Sequence, residues 1–440
     1  MIKEQRIAVL GLAKSGLAAA ERLKGLGKQV FLSETKPRSQ ISPASLKALA
    51  ELGLEAEFGG HSQKVLLADL IVISPGIPLD IPIVRQAAAK GIPVISEIEL
   101  AYRLLTKPII AITGTNGKTT TTTLIGELLK AAGKKVAVAG NIGEPLVLVD
   151  DTALDYIIAE ISSYQLETIV DFRPWISVIL NIQPDHLVRH GDMSGYIKAK
   201  ARIFINQTGD DYLVFNEDDP AVKKMAKTAS CRLKGFSKDC FKIITLDPKE
   251  IKIPGRHNLE NSLAAATVAD ICGVDKQVVA EVLKNFPGVE HRIEMVAEGN
   301  GVTYYNDSKA TNPDSTLVAL ETFAGRGIVL ILGGKDKGTE LATLSKKIKE
   351  FVKFVVLIGE ATDRFAAALK QAGYSAVSRV NDLEAAVRTA GAKAVKGDIV
   401  LLSPACASFD MFANFEERGR VFKQIVKEVV GGSEPSPSFK

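Results

Sequence analysis

A glycine-rich segment that carries a lysine and several threonines has the residue types and the spacing to bind phosphate. Residues 113–120 read Thr-Gly-Thr-Asn-Gly-Lys-Thr-Thr, after an apolar run at 108–112 and before a helical pattern at 118–129. In a strand–loop–helix unit of this kind, backbone N–H groups face phosphate oxygens, the lysine adds positive charge and the next hydroxyl reaches Mg²⁺. The sequence therefore predicts a nucleoside triphosphate site. Its phosphate-binding residues are predicted to be Gly114, Thr115, Asn116, Gly117, Lys118, Thr119 and Thr120.

The spacing of this loop differs from the usual phosphate-binding pattern, G-x-x-x-x-G-K-[ST]. That pattern would place its first glycine at position 112, which is Ile112, whereas Gly114 lies only three residues before Gly117. The alternative is a chance glycine turn, which the strand before the loop and the helix after it disfavour. We therefore expect a shortened phosphate-binding loop.

Acidic and imidazole side chains follow two further apolar runs. Glu160 ends one run, and Asp185 and His186 follow the next. Oxygen ligands at a strand end beside a phosphate loop are well placed to hold Mg²⁺ or its water. A polar cluster with Ser162 and Gln165 follows Glu160, which favours binding over a solvated surface charge. For His186, a ligand role and a structural role stay open.

A lysine in the helical segment 195–204 lies along the apolar stripe. Ile197, Lys200 and Phe204 fall at i, i+3 and i+7 of that stripe. Lys198 lies roughly 200° around the helix from Lys200, so both cannot face one site. Periodicity alone favours a lysine whose stem covers apolar surface while its ammonium group reaches water.

Two asparagines are further binding candidates. Asn141 stands in a glycine-flanked turn after a strand, where its amide can donate to a phosphate or sugar oxygen. Asn261 and His257 lie one helical turn apart and can flank an adenine. The alternative is that Asn258 simply caps the helix that begins there.

A glycine turn near the N-terminus resembles a dinucleotide-binding turn. Residues 11–16 read Gly-Leu-Ala-Lys-Ser-Gly, in which Ala13 replaces the middle glycine that lets a pyrophosphate approach, and Glu34 ends the second apolar run. NAD, the UDP of a nucleotide sugar and a turn without ligand are all compatible with this pattern. The rigid turn at 74–78, with Ser74 and Gly76, also follows a strand. It either lies beside the glycine turn at the same end of the sheet or is an ordinary turn without a ligand.

The last third of the chain has three polar loops after apolar runs. In the first, Asp307 can accept from ribose hydroxyls and Lys309 can neutralise a γ-phosphate. The other two span 332–337 and 401–408. Lysines and hydroxyls together suit a dianionic amino acid.

Short apolar runs alternate with helical patterns throughout, which predicts α/β domains with mainly parallel sheets. Ligands of such sheets bind beyond the carboxyl ends of the strands, where the residues above are placed. The proline after Lys107 disfavours helix and suggests a linker. We expect a Rossmann-like domain at 1–107, a central phosphate-loop domain at 108–298 and a second Rossmann-like domain at 299–440. Strands are expected near 6–10, 29–33, 70–74 and 92–95, near 108–112, 135–139, 155–159, 176–180 and 212–215, and near 302–306, 327–332, 354–358 and 398–402.

Composition excludes several classes of protein. The 440 residues are 46% hydrophobic, enough for two or three domains, and the 55 basic and 51 acidic residues are interspersed, so we expect no nucleic-acid or membrane surface. The four cysteines are widely spaced and the N-terminus has no signal-peptide pattern, which predicts reduced thiols in a cytoplasmic protein. Cys406 is predicted to be a buried structural thiol. The tail from Gly431 onward is expected to be disordered.

Taken together, these motifs resemble the Mur ligases along the whole chain. The segments that carry the resemblance are the loop 114–119, Glu-Ile-Ser-Ser-Tyr-Gln-Leu-Glu at 160–167, Asp-His at 185–186, His-Asn at 257–258, His-Arg at 291–292, 306–312 and 403–410. The last two resemble the D-glutamate-adding member. The resemblance implies an ATP-dependent ligase that joins D-glutamate to UDP-N-acetylmuramoyl-L-alanine through an acyl phosphate. It also implies peptidoglycan precursor synthesis by a cytoplasmic monomer.

The resemblance further implies roles for individual residues. Binding of the UDP substrate is expected from Leu12, Ala13, Ser15, Glu34, Thr35, Lys36, Ser74, Gly76, Asn141, Ser162, Gln165 and His186. Two Mg²⁺ ions are expected on Thr119, Glu160, His186 and Lys200, the last as a carbamate formed with CO₂. ATP contacts beyond the loop are expected from Asn261, Arg292, Asp307 and Lys309. The D-glutamate pocket is expected from Thr311, Lys337, Ser408 and Phe415, with Lys335 an alternative to Lys337. Catalytic roles fall to Lys118, His186, Lys200 and Lys309.

Four alternative functions are compatible with parts of this sequence. An NAD-dependent oxidoreductase would explain the first glycine turn but would leave the phosphate loop unused. A nucleotide-switch protein would carry Asp-x-x-Gly and Asn-Lys-x-Asp motifs at the right places, and the sequence has neither there. Within the ligases, a folylpolyglutamate synthetase would lack a UDP domain, and a Mur ligase that adds another amino acid is the nearest alternative.

Overall fold

The computed structural model of the chain describes residues 2–239 and 243–431. These residues form three sheets of mainly parallel strands, with helices between the strands, which confirms the predicted α/β class. The described residues divide into two compact units. The first unit holds two sheets in the residues up to Glu250 and in His257–Lys284, and the second holds the third sheet in Ile251–Arg256 and the residues from Asn285 onward.

The first sheet has five parallel strands in the order β3-β2-β1-β4-β5. Helices cover both of its faces, so residues 7–10 of its first strand and residues 70–73 of its fourth strand are apolar and buried. The glycine turn predicted as a ligand site connects its first strand to its first helix. The strands are β1 (Arg6–Leu10), β2 (Gln29–Glu34), β3 (Glu55–Phe58), β4 (Leu70–Ile73) and β5 (Val94–Ser96), and the helices are α1 (Lys14–Gly25), α2 (Pro43–Leu52), α3 (Pro82–Ala89) and α4 (Glu97–Leu104).

The second sheet has six parallel strands in the order β11-β10-β9-β6-β8-β7. Its strands are β6 (Ile109–Thr113), β7 (Val136–Gly140), β8 (Tyr156–Glu160), β9 (Ile176–Ile179), β10 (Tyr212–Asn216) and β11 (Arg232–Phe236). Its helices are α5 (Lys118–Ala131), α6 (Ser163–Leu166), α7 (Leu187–His190), α8 (Met193–Ala201), α9 (Pro220–Ala226), α10 (Arg256–Ile271) and α11 (Lys276–Asn285). Because the strands are parallel, the ends of β6, β7, β8 and β9 bring the predicted phosphate and metal residues to one edge.

The third sheet has the order β12-β13-β17-β14-β15-β16, and β12 pairs antiparallel with β13 while the other pairs are parallel. Successive residues of β14 pack into two different cores, one on each face, as the alternation of a strand requires. The strands are β12 (Glu294–Gly299), β13 (Val302–Asn306), β14 (Ile328–Gly333), β15 (Val352–Ile358), β16 (Val377–Arg379) and β17 (Ile399–Leu402), and the helices are α12 (Pro313–Thr322), α13 (Ala342–Phe351), α14 (Thr362–Gln371), α15 (Leu383–Lys393) and α16 (Phe415–Gly431).

All thirteen predicted strands are present, with ends that agree to within two residues. The sequence prediction missed β3, β11, β12 and β16, and each of these lies at an edge of its sheet. Edge strands face solvent on one side and carry polar residues, so they lack the apolar run that identified the others. In β11, for example, the first four of five residues are exposed.

Helix α4 joins the first two sheets through two buried glutamates in its first turn. The Glu97 carboxylate accepts from the backbone N–H of Val147 at 2.7 Å. The Glu99 carboxylate accepts from three consecutive backbone N–H groups at 170–172, at 2.8 to 3.1 Å. Burial raises the pKa of Glu97 to about 7, against the lowering effect of the Val147 N–H. A helix of the first sheet thus fixes two loops of the second.

The described residues contain no helix that combines the length and the hydropathy needed to cross a bilayer. Their three cysteines, Cys231, Cys272 and Cys406, are free thiols. Cys406 is buried as predicted, and burial raises the pKa of its thiol to about 11. The fourth cysteine, Cys240, and the predicted disordered tail after Gly431 lie outside the described residues.

Candidate functional site

The predicted phosphate loop connects the end of β6 to the start of α5. Its two glycines, Gly114 at φ +155° and Gly117 at φ +84°, have backbone conformations that side chains rarely adopt. A Cβ atom at Gly117 would lie 2.2 Å from Oδ1 of Asn261, which therefore packs directly on the loop. Asn261 also accepts from the Thr121 hydroxyl at 3.3 Å. The structure thus brings Asn261 of α10 to the phosphate loop.

The segment after β9 fixes the phosphate loop from the other side. The backbone N–H of Thr115 donates to the Asn181 carbonyl oxygen at 2.9 Å, and that of Asn116 donates to the Asn181 side chain at 2.8 Å. The Asn116 amide also donates to Gln183 at 2.8 Å. A loop with this many internal partners has a preformed shape, as phosphate recognition by backbone groups requires.

Two lysine ammonium groups converge on one carbonyl oxygen of the loop. Lys118 Nζ donates to the carbonyl oxygens of Gly114 and Thr115, at 2.9 and 2.8 Å, and Lys200 Nζ donates to the same Gly114 oxygen at 2.8 Å. The pKa of Lys200 is well below its usual range because burial disfavours the ammonium form, and the charge of Lys118 adds to this effect. The Lys118 ammonium therefore supplies the positive charge at this point of the loop, and the neutral amine is the favoured form of Lys200.

The interpretation of Lys200 from periodicity is wrong in one respect. Its side chain does lie on the inner face of α8, and Lys198 is exposed. However, Lys200 is only 1% exposed, so its ammonium group does not reach water. It ends at the phosphate loop and above the Tyr196 ring, 4.8 Å from the ring centroid. A helical period defines the face of a residue, but not where a long side chain ends.

Glu160 ends β8 with one carboxylate oxygen that has no hydrogen-bond partner. Its Oε1 accepts from the Asn141 amide at 2.7 Å, whereas its Oε2 is buried and unpartnered. Leaving a buried charged oxygen unsatisfied is costly, so this atom fits a cation ligand. The negative charges of Glu160 and Asp185 both act on Lys200, which places the three groups near one another.

A metal ion at the carboxyl ends of these strands would need ligands other than ordinary acidic, imidazole and thiol side chains. Among residues 2–239 and 243–431, no three His, Cys, Asp or Glu side chains are grouped closely enough to hold one. The predicted set meets this requirement, because it adds the Thr119 hydroxyl and a modified Lys200 to Glu160 and His186. Thr119 is buried in the first turn of α5, directly after the loop lysine.

His186 is exposed at the start of α7, where it has the left-handed backbone conformation, φ 54°. Its Nε2 lies 3.3 Å from Asp185 Oδ2, and its ring lies 4.8 Å from the Tyr164 ring. Helix α6, which carries Tyr164, begins with a capping box in which Ser162 and Gln165 satisfy each other's backbone N–H groups. Both polar side chains of the predicted cluster are therefore used to build α6, and any ligand would share them.

The glycine turn of the first sheet is held by Glu34. One carboxylate oxygen accepts from the Leu12 N–H at 2.8 Å and the other from the Lys36 N–H at 3.0 Å. Burial opposes the charged form of Glu34, but these backbone N–H groups and the Thr35 hydroxyl lower its pKa overall. Glu34 is thus ionised and fixes two segments predicted to bind the substrate.

The turn at 74–78 faces the glycine turn. The Ser74 hydroxyl is buried without a hydrogen-bond partner, and a Cβ atom at Gly11 would lie 2.7 Å from it. Gly76 is exposed at the tip of the turn, while Ser15 is half-buried and Ala13 is exposed at the start of α1. The two turns predicted to share a rim are therefore adjacent.

In the second unit, Asp307 follows β13 and is buried. Its two oxygens accept from the Ser403 hydroxyl at 2.7 Å and the Ile293 N–H at 3.2 Å. Burial raises its pKa to about 7, although the charge of Arg292 acts in the opposite direction. Lys309 Nζ lies 5.9 Å from the ring centroid of Phe415. The structure thus groups Arg292 with Asp307, and Lys309 with Phe415.

The contacts of the two lysines in the 333–337 loop differ. Lys335 is paired with Glu360 at 2.5 Å, whereas Lys337 Nζ lies 3.4 Å from the Thr311 carbonyl oxygen. Lys337 therefore lies beside Thr311, a residue of the predicted amino-acid pocket, and Ser408 of the neighbouring loop is buried. This arrangement favours Lys337 over Lys335.

Sequence reasoning missed two arginines that organise these loops. Arg418 is completely buried in α16 and donates to the carbonyl oxygens of Ser308 and Cys406, at 2.8 and 3.1 Å. Arg189 pairs with Glu167 beside His186. Both stand within three residues of a predicted site residue, Arg418 after Phe415 and Arg189 after His186, and that proximity was the available signal.

Three family models match the chain, one on each sheet. The MurD-like N-terminal domain of Mur ligases matches residues 5–96, the Mur ligase middle domain matches 112–269, and the Mur ligase glutamate ligase domain matches 291–406. The matched ranges contain the glycine turn, the phosphate loop with Lys200, and the polar loops of the third sheet, respectively.

Relatives and solved structures agree with these models. A UDP-N-acetylmuramoylalanine–D-glutamate ligase of Thermoanaerobacter sp. (strain X514) is 45% identical over 97% of this chain and 99% of its own length. One from Acidobacterium capsulatum is 45% identical over 97% and 96%. The crystal structure of UDP-N-acetylmuramate–alanine ligase from Thermotoga maritima shares the fold, with a TM-score of 0.59 at 21% identity over 97% and 100% of the two chains. Since relatives this similar extend over nearly its full length, the chain belongs to the Mur ligase family.

Proposed function

We propose that the protein is an ATP-dependent ligase that joins D-glutamate to UDP-N-acetylmuramoyl-L-alanine, releasing ADP and phosphate, in peptidoglycan precursor synthesis. The observation that carries this proposal is a preformed phosphate loop on whose Gly114 carbonyl oxygen two lysine side chains meet, Lys118 as the cation and Lys200 as a buried amine. The named relatives at 45% identity supply the two substrates. An oxidoreductase would leave this loop without a role.

The reaction needs an activated acid, because a carboxylate has no good leaving group. The substrate carboxylate attacks the γ-phosphate of ATP to give an acyl phosphate, and the amine of D-glutamate then displaces phosphate. Lys118, at the end of the phosphate loop, would bind the γ-phosphate, and Lys309 would add a second positive charge. His186 would orient the substrate beside α6. These groups act by position and charge, which suits phosphoryl transfer.

Two Mg²⁺ ions are proposed at the edge of the second sheet, held by Thr119, Glu160, His186 and Lys200. Bound there, Mg²⁺ would neutralise charge on the phosphate oxygens. The unpartnered Oε2 of Glu160 supports this placement. We further propose that Lys200 reacts with CO₂ to form a carbamate, because its burial favours the neutral amine and a carbamate would supply the missing anionic oxygen ligand.

The remaining substrate contacts follow the three sheets. We propose UDP-substrate contacts at the two turns of the first sheet and at Asn141, Ser162 and Gln165, as predicted above. Arg292 and Asp307 are proposed to contact ATP, and Thr311, Lys337, Ser408 and Phe415 to bind D-glutamate. We also propose domain boundaries near Lys107 and Glu298, and a cytoplasmic monomer. Strand β12 begins at Glu294, so the second boundary is expected a few residues before 298.

Phosphate release with UDP-N-acetylmuramoyl-L-alanine and ATP tests the function directly. D-glutamate should support release, whereas L-glutamate, L-lysine and meso-diaminopimelate should not. Lys118→Ala should lower the rate about 100-fold or more, because it removes a group that acts on the transferred phosphate. Release with a different amino acid would assign another Mur ligase reaction, and an undiminished rate in Lys118→Ala would contradict the proposed role of the loop.

A further inference from the structure

The guanidinium group of Arg189 connects two short helices, α6 and α7, that lie next to the predicted substrate residues of the second sheet. Arg189 belongs to α7, which starts after His186, and Glu167 directly follows α6. Arg189 Nε lies 3.1 and 3.2 Å from the two carboxylate oxygens of Glu167, and its Nη2 lies 2.6 Å from one of them. The two side chains are 17% and 14% exposed, so water screens this ion pair less than one on the open surface.

The same guanidinium reaches across to the first sheet. Arg189 Nη2 donates to the Ile77 carbonyl oxygen at 2.8 Å. Ile77 closes the turn that contains Ser74, since its N–H donates to the Ser74 carbonyl oxygen at 3.0 Å. That turn holds the buried, unpartnered Ser74 hydroxyl. One side chain therefore links a substrate turn of the first domain to the helix that begins at His186.

Other contacts across this junction show that the two domains are joined in several places. Lys14, at the start of α1, donates through Nζ to the carbonyl oxygen of Gly143, in the turn that carries Asn141. Glu97 and Glu99 make the buried contacts of α4 described above. Arg189 is distinct because its carbonyl partner lies in a loop predicted to touch the substrate. Removing the Arg189 side chain would loosen the 74–78 turn but would leave the buried contacts of Glu97 and Glu99 in place.

We propose that Arg189 is a positioning residue for the UDP-linked substrate. By holding the 74–78 turn against the helices that begin after Ser162 and His186, it sets the position of this predicted substrate turn relative to the substrate groups of the second sheet. This inference rests on the proposed function, which supplies the substrate. A small displacement of such groups lowers the rate strongly, because productive geometry is narrow.

Lysine is the informative replacement at this position. A lysine ammonium can pair with Glu167, but it lacks the planar fork that serves Glu167 and the Ile77 carbonyl oxygen together. Arg189→Ala should raise the KM for UDP-N-acetylmuramoyl-L-alanine about tenfold, with the KM values for ATP and D-glutamate changed less than about twofold. Arg189→Lys should keep the thermal stability of the wild type yet show most of the same rise in KM.

Arg173→Ala is the matched control. Arg173 makes an ion pair of similar length with Asp211, at 2.7 Å against 2.6 Å for Arg189 and Glu167. It lies in the same unit, but Asp211 directly precedes β10, so this pair is at the amino end of that strand rather than at the carboxyl ends. This variant should leave all three KM values within about twofold of the wild type. An unchanged KM in Arg189→Ala, a full recovery in Arg189→Lys, or an equal change in all three KM values would each overturn the inference.

Calorimetric binding separates this inference from the proposed function. UDP alone should bind Arg189→Ala as it binds the wild type, since the contacts assigned to UDP at Leu12, Ala13 and Glu34–Lys36 lie outside the 74–78 turn that Arg189 holds. UDP-N-acetylmuramoyl-L-alanine should bind the variant about tenfold more weakly. If the wild type binds this substrate but does not ligate D-glutamate, the proposed reaction is wrong. The role of Arg189 is then decided by the binding affinities of the wild type and the variant alone. If the wild type does not bind the substrate, both fail.

Discussion

Lys200 is a lysine placed where an ammonium ion is unfavourable. Its Nζ is buried, lies close to the charge of Lys118 and donates to the backbone oxygen of Gly114. A neutral amine is favoured under these conditions, and only the neutral form adds CO₂. The same environment that disfavours the cation is the one in which a carbamate would gain a metal ion as its partner.

Replacing Lys200 tests this chemistry. Lys200→Ala and Lys200→Arg should each lower kcat about 100-fold or more, because neither side chain can become a carbamate that holds a metal ion. With ¹³C-labelled bicarbonate, the wild type should show a carbamate carbon resonance by NMR that both variants lack. Lys198→Ala, at the exposed position of the same helix, should retain the resonance and the activity. A fully active Lys200→Arg would rule out the carbamate.

The candidate site shows which of its residues can be identified from the sequence. The phosphate loop and Glu160 were predictable because a loop between strand and helix, or a strand end, has a fixed orientation. Arg189 and Arg418 were not, because each also donates to a backbone carbonyl oxygen of a distant segment, and such partners cannot be identified from residue types. Resemblance supplied the residue roles that spacing alone left open.

At the scale of elements, α4 shows how a helix start can connect two sheets. Its first turn presents two carboxylates to backbone N–H groups of the second sheet's loops. The pKa of Glu97 in the folded protein is about 7, above its ordinary value of 4.5. The chain therefore takes up a proton on folding when the pH lies between these two values. Its contribution to stability is therefore fully present at low pH and is lost as the pH rises through about 7.

Glu97→Gln should change this pH dependence. The glutamine amide keeps a carbonyl oxygen for the Val147 N–H and does not titrate. Relative to the wild type, the variant should therefore gain thermal stability as the pH rises from about 5.5 to about 8.5. Thermal midpoints across that range measure the difference. Glu51→Gln, an exposed glutamate on α2, should show no such trend, and a constant difference for Glu97→Gln would contradict the assigned pKa.

The elements that sequence analysis missed have a common cause. Strands β3, β11, β12 and β16 lie at sheet edges, where pairing on one side only tolerates polar residues. Interior strands such as β6 are apolar throughout because helices cover both faces. Hydrophobic runs therefore identify the middle of a parallel sheet and underestimate its width.

At the scale of the whole molecule, the second unit has what an independent domain requires. Its sheet carries two apolar cores, one on each face, built from residues of its own. Burial on both faces is the main source of stability for a domain of this size. The unit also takes in Ile251–Arg256, in which Ile251 and Ile253 are buried.

A fragment of residues 285–440 should therefore fold alone, with some loss of stability because it lacks Ile251–Arg256. A cooperative urea transition and a near-ultraviolet circular dichroism signal would confirm this outcome. Joining residues 251–256 to residue 285 through a short flexible linker, without residues 257–284, should raise the transition midpoint. A gradual transition without a near-ultraviolet signal in both fragments would show that this unit depends on the rest of the chain.

The phosphate loop and the Lys118 ammonium also bear on turnover. Backbone N–H groups and an ammonium group together accept any tetrahedral oxyanion of suitable size, and orthophosphate is made in each catalytic cycle under the proposed reaction. Accumulated orthophosphate would compete with incoming nucleotide and slow the enzyme late in a reaction. Sulfate in a storage buffer would occupy the same place, raise the melting temperature and mask part of the nucleotide's own stabilising effect.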